Sequence, residues 1–143
     1  LTTLTLLLTP ALSAIHTIRV GPDSSQRFDP EIVDAKNGDT LIFHLFPNHD
    51  VVESDFSSPC VPKQDGFYSG PYSGTDDGEK RFVVNVTTDG PHYWYCSVER
   101  HCMNGMVGGA GVPTEGETIE AYKEAAKAVT SAQTPGQMSG GML

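Results

Sequence analysis

Residues 91–109 read PHYWYCSVERHCMNGMVGG. Three consecutive aromatic residues, Tyr93, Trp94 and Tyr95, form a strand-like run, and a second apolar run begins at Met106 and Val107. Between them lies a short loop with a thiol at Cys96, an imidazole at His101, another cysteine at Cys102 and a thioether at Met106. Cys96, His101 and Met106 stand in the spacing C-x4-H-x4-M, so one strand-to-strand connection offers three different metal-donor groups.

Working outward, KRFVVNVTTDG (80–90) alternates Phe82, Val84 and Val86 before a turn at Asp89-Gly90. That period of two predicts a half-buried strand. IHTIRVG (15–21), the first residues of FDPEIVDAKNGDTLIFHLFPNHDVV, residues 40–46 after the turn at Asn37-Gly38-Asp39, and a short run after His49 are further strand candidates. A last strand is expected near GMVGGAGV (105–112), although its glycines depart from the branched residues a strand prefers. Residues 54–79 are rich in Ser, Pro, Gly and Asp without periodicity, which predicts a long loop that is either functional or tied down. Thr114 and Glu117 have capping-box spacing, and Ile119, Tyr122, Ala126 and Val129 share one helical face. The 143 residues suffice for one core. They divide into 1–14, a β domain over 15–113, a helix over 114–131 and a tail over 132–143 of flexible-linker composition.

LTTLTLLLTPALSA (1–14) is an uncharged apolar run closing on small residues, the pattern of a truncated secretory signal with cleavage near Ser13 or Ala14. It is too short to span a bilayer. Asn85 opens the sequon NVT, an expected glycosylation site in a secreted chain. A net charge of −9 without a Lys/Arg cluster excludes nucleic acid as a partner. Export places Cys60, Cys96 and Cys102 in an oxidising compartment, and an odd count leaves one over. On the residues alone the pairing stays open, because a bridge between Cys96 and Cys102 would leave Cys60 free.

A thiolate, an imidazole and a thioether, completed by a second imidazole, form the His2Cys set with a weak axial Met that suits copper in both oxidation states. His49, at the end of a strand in PNHDVV, is the expected donor of that imidazole, with His44 its rival. NHDVVESDF, the following PC and YWYCSVERHCMNGMVG together resemble the cupredoxins, closest to the phytocyanins and fungal extracellular phytocyanin-like proteins. The resemblance covers about residues 16–112. It implies an all-β Greek-key cupredoxin β-sandwich with one appended C-terminal helix, copper ligands at His49, Cys96, His101 and Met106, and a disulfide between Cys60 and Cys102. It further implies one mononuclear type 1 copper that carries single electrons by cycling Cu(II)/Cu(I), not an enzyme, with His101 as the electron port. The protein is then a secreted or cell-surface-attached monomer exchanging electrons with a redox partner.

The alternative is a non-redox extracellular module in which the stapled sandwich binds copper or mediates wall and partner contacts. A Cys96–His101 nucleophilic pair lacks an orienting Asn or Asp and an oxyanion motif, and VGGAG lacks the Lys-Ser/Thr of a phosphate loop. His16, His44 and His92 have no partner at ligand spacing and read as strand or surface histidines. Asp50, Glu53, Asp55, Asp76 and Asp77 read as solvated charges, and Tyr93, Trp94 and Tyr95 as core.

Overall fold

A computed structural model describes residues 4–10 and 12–143. The expected signal spans 1–14, of which 1–3 and 11 lie outside the described residues; the others are exposed and without regular structure. Regular structure begins with strand β1 (Ile15–Val20), followed by β2 (Phe28–Asp29), β3 (Ile32–Val33), β4 (Thr40–Leu45), β5 (Val52–Ser54), β6 (Phe82–Asn85), β7 (His92–Tyr95), β8 (Val107–Ala110) and helix α1 (Ile119–Lys127).

The strands form two four-stranded sheets, ordered β2-β1-β4-β6 and β3-β8-β7-β5. In β4 the alternation places Leu41, Phe43 and Leu45 inward at 1% exposure or less, with Thr40, Ile42 and His44 outward. Ile18 and Val20 of β1, Phe82 and Val84 of β6, and Trp94 of β7 meet them between the sheets. Trp94 stands edge-on to Phe43 at 5.3 Å between ring centroids, a favoured aromatic geometry. This is an all-β sandwich with a C-terminal helix, and the chain passes repeatedly from one sheet to the other, so sequence neighbours are often not sheet neighbours.

Two connections differ from a simple reading of the pattern. The run around FDPEIV is split: β2 pairs with β1, while β3 pairs with β8 in the opposite sheet. Pro30 between them lacks the N–H that a continuing ladder would need. The turn at Asp89-Gly90 likewise joins strands of different sheets, since β6 pairs with β4 and β7 with β5 and β8.

The glycines of β8 have a packing reason. A Cβ on Gly108 would sit 2.5 Å from Trp94 Nε1 and 2.8 Å from the Glu31 carbonyl, and one on Gly109 only 2.4 Å from Val112 and 2.7 Å from the His92 carbonyl. Wedged between β3 and β7, this strand has room for backbone alone at both positions.

Helix α1 is shorter than the expected 114–131, beginning at Ile119 and ending at Lys127. Its cap is Thr118, whose hydroxyl accepts from the Ala121 amide at 3.1 Å, so the Thr114–Glu117 pair does not cap it. The apolar face is the expected one: Ile119, Tyr122 and Ala126 are buried against Val52, Tyr93, Tyr95 and Val107 on the outer face of the second sheet. The tail, expected as a free linker, folds back onto the sandwich. Ser139 and Tyr68 exchange backbone hydrogen bonds of 2.9 and 3.0 Å, and Met142 and Val83 exchange another pair of 2.8 and 3.0 Å. A strand edge with unpaired amides takes up whatever backbone reaches it.

Candidate metal centre

Two loops meet at the end of the sandwich where β4 and β7 finish and β8 begins. Cys96 follows β7 directly, Met106 precedes β8, and His49 lies between β4 and β5. The 96–106 loop is closed on itself: His101 N–H donates to the Val98 carbonyl (3.0 Å), Met106 N–H to that of His101 (2.9 Å), and Cys96 N–H to that of Met106 (3.2 Å). Gly105, at φ +100°, makes the reversal that returns the chain to Met106, a conformation side-chain-bearing residues rarely take. The backbones of Cys96, His101 and Met106 are thus bonded to one another, which fixes where their side chains start.

The side chains converge. Cys96 Sγ is 3.5 Å from His101 Nδ1, and the His49 and His101 rings lie 5.0 Å apart between centroids, inclined by 31°. All are buried: His49 at 4% exposure, His101 at 9%, Cys96 and Met106 at 0%. His49 Nδ1 lies 2.8 Å from the Pro47 carbonyl. A carbonyl only accepts, so Nδ1 carries the proton and Nε2 the lone pair. That Nε2 is buried without a hydrogen-bond partner. Space for the ring comes from Gly21, where a Cβ would lie 2.1 Å from Nδ1. Among the described residues no three His, Cys, Asp or Glu side chains form a ready cage, and the donors that approach are two imidazoles and a thiol, with a thioether on the same loop. The orphaned lone pair and this nitrogen-and-sulfur set fit copper in preference to an oxygen-seeking ion.

Burial holds both imidazoles below the usual histidine range, and for His49 the proximity of His101 adds to it. Neutral imidazole is the form that binds metal. Burial, with the Asp50 carboxylate beside it, pushes the Cys96 thiol well up. Asp50 itself is raised by burial, opposed by the bonds it accepts from the Ser97 amide and hydroxyl, each 2.6 Å. Asp50 reads from the sequence as a solvated charge; at 3% exposure it instead joins the His49 segment to the residue after Cys96. Its place directly after His49 was the available signal. Glu53 was misread in the same way: it is 8% exposed, accepts from the Phe67 amide at 3.2 Å and faces His92 at 3.1 Å.

Cys60 and Cys102 form a disulfide, and Cys96 is the free, buried thiol. The bridge ties the 54–79 loop to the loop of the candidate centre. His44 lies on the outer face of the first sheet, its ring 4.4 Å from that of Phe46, and His16 bonds to Asp39 at 2.9 Å. Asn85 is exposed at the end of β6.

No family model matches the chain. Over 133 residues it is 35% identical to a probable GPI-anchored cupredoxin of Arthroderma benhamiae, covering 91% of this chain and 69% of the relative. Over 120 residues it is 36% identical to an extracellular serine-rich protein of the same organism, covering 82% of this chain and 47% of that one. A purple cupredoxin from Nitrosopumilus maritimus superposes with a TM-score of 0.50 at 19% identity, over 68% of this chain and 99% of the other, a likeness of fold. The chain belongs to the cupredoxin family. Like these relatives it is a secreted protein.

Proposed function

We propose that the protein is a single-electron carrier whose one mononuclear type 1 copper would be held by His49, Cys96 and His101, with Met106 of the same loop as a weak fourth donor. The observation that carries this reading is the buried, unpartnered Nε2 of His49 on a ring packed against His101, whose Nδ1 faces the free Cys96 thiol. When bound, the metal supplies a one-electron Cu(II)/Cu(I) couple. The chain's part is to keep both imidazoles neutral, to exclude water with the apolar packing around Cys96 and Met106, and to keep the loop from reorganising between oxidation states. His101, the more exposed of the two imidazoles, is the electron port. Attachment at the cell surface and a glycan on the exposed Asn85 belong to the same proposal.

Titrating the metal-free protein with Cu(II) tests it. An intense thiolate-to-copper absorption is expected for the wild type, lost in Cys96→Ser and His49→Ala and kept in His44→Ala. Colour retained by His49→Ala and lost in His44→Ala would overturn the ligand assignment. A colourless wild type would favour the non-redox extracellular module.

A further inference from the structure

The segment after α1 has the composition of a linker, yet Gln133 and Thr134 bond to the residues on either side of Cys96 in sequence. Gln133 accepts at its carbonyl from the Tyr95 hydroxyl (2.7 Å), and its amide donates to the Cys60 carbonyl (2.9 Å). Thr134 Oγ1 donates to Ser97 Oγ at 2.8 Å. The direction of this last bond is fixed: a serine hydroxyl has one proton, and that of Ser97 is used on Asp50 Oδ2, so Ser97 can only accept from Thr134. Tyr95 and Ser97 are the immediate neighbours of Cys96, and Cys60 is bridged to Cys102 in the same loop.

The far end of the segment is also built to fit. A Cβ on Gly140 would lie 2.7 Å from Phe67 Cα, and one on Gly141 would lie 2.5 Å from the Val83 carbonyl and 2.7 Å from the Phe82 ring. Backbone pairs at Ser139–Tyr68 and Met142–Val83 complete the attachment. Two separated anchorages, one at the loop of the candidate centre and one at the sheet edge, describe a fastened strap.

We propose that Thr134 is a positioning residue for the metal centre: its hydroxyl, relayed through Ser97 to Asp50, fixes the 96–101 loop against the His49 segment, and the strap presents it there. The role assigned to the loop rests on the copper reading above, but the fastening itself does not. Loss of the Thr134 donor leaves Ser97 with one partner fewer and loosens its amide, which donates to Asp50.

The test compares wild type with Thr134→Val, Thr134→Ala and Thr134→Ser, first without metal. Exchange of the Ser97 amide should quicken about 2- to 10-fold in the Val and Ala variants, the effect expected for one neutral hydrogen bond. It should stay at the wild-type rate in Thr134→Ser. The Val83 amide, bonded to Met142 at the other anchorage, serves as the control and should not change. With Cu(II) added, the thiolate-to-copper band should shift in the Val and Ala variants and return to the wild-type position in the Ser variant. Wild-type exchange at Ser97 in both hydroxyl-less variants, or failure of Ser to restore, would overturn the proposal. So would an unshifted band alongside quickened exchange. A colourless wild type would sink the copper reading alone, leaving Ser97 exchange to decide the fastening.

Discussion

The second sheet is buried on both faces, and its two faces are covered by unlike material. Its inner face meets the first sheet in a core of Ile18, Phe28, Phe43, Phe82 and Trp94, which takes in Cys96 and Met106. Its outer face is roofed by α1 and the loop after β5: Ile119, Tyr122 and Ala126 close over Tyr93, Tyr95 and Val107 with the Cys60–Cys102 bridge among them. Among the described residues the first sheet has no comparable roof, and β4 keeps an alternating pattern while β8 is buried throughout. The inner core is strand against strand and needs no staple. The outer layer rests on a nine-residue helix, too short to be stable alone, and an irregular loop, so a covalent tie has most to add there.

Removing the staple should break this contrast most visibly. The bridge closes a loop across a separation of 42 residues, worth about 4 kcal/mol in the chain-entropy account. Cys60→Ala with Cys102→Ala should lower stability by about that amount in urea unfolding. Amide exchange should quicken first in the 54–62 loop and α1, and last at Phe43 and Trp94. Equal acceleration in β4 and α1 would show that the two layers are one cooperative unit and that the distinction is only one of composition.

Gly108 lies at the inner side of β8 against Trp94, where added bulk should strike the inter-sheet core and spare the roof. Gly108→Val should cost about 3 kcal/mol, the upper range for overpacking, because one of the obstructing atoms is the Glu31 carbonyl and backbone yields least. Trp94 fluorescence should report the disturbance. A change confined to Tyr122 and Phe56 would place the strain on the wrong face.

What could be read from the residues follows the same division. The inner core was legible in part because Phe82, Val84 and Val86 repeat every second residue, and a period of two has one structural meaning when one face is wet. The C-x4-H-x4-M loop was legible because donor spacing survives any detail of loop shape. The roof was harder: the capping-box spacing of Thr114 and Glu117 puts the helix start too early, and the observed cap is Thr118, with Ile119 buried at the first helical position. Glycines in β8 argue against a strand on propensity, and only the proximity of Trp94 and His92 shows why they are required. Asp50 and Glu53 look like surface charge because a carboxylate's burial is set by partners distant in sequence, here Ser97 and His92. The tail carries no hydrophobic period at all, since it is held by backbone pairing and by glycines that let it lie close.

The helix cap probes the roof more gently than the disulfide does. Thr118→Ala removes the hydroxyl that accepts from Ala121 and should cost about 1 kcal/mol, with Thr118→Asn close to wild type. Because the roof leans on the sheet rather than supporting it, α1 should fray on amide exchange with the β4–β6 ladder unchanged. Equal loss in that ladder would argue that the helix is part of the main folding unit.

The smallest expected effect belongs to the rim of the inner core, where His92 and Glu53 face each other on the Trp94 side of the second sheet. The hydrogen bond to the Glu53 carboxylate raises the His92 imidazole above its usual range, supported by the Thr88 carbonyl and opposed by burial and by Lys63. Protonated, the ring can donate from Nδ1 to Glu53 (3.1 Å) and from Nε2 to Thr88 (3.3 Å) at once; neutral, it has one proton for the two. A pKa raised by folding means that the folded state holds the proton more tightly. The added stability is therefore complete below the ordinary histidine value near 6.5 and fades as pH rises through the higher folded value. His92→Gln keeps one donor and cannot titrate, and the other ionisable groups remain the same in both proteins. The wild type should exceed the variant by about 1 kcal/mol or less at pH 5, and the gap should shrink toward pH 8 in urea unfolding. A gap that stays constant across this range would mean that His92 contributes only packing and a neutral hydrogen bond, and that the rim of the inter-sheet core draws no stability from charge.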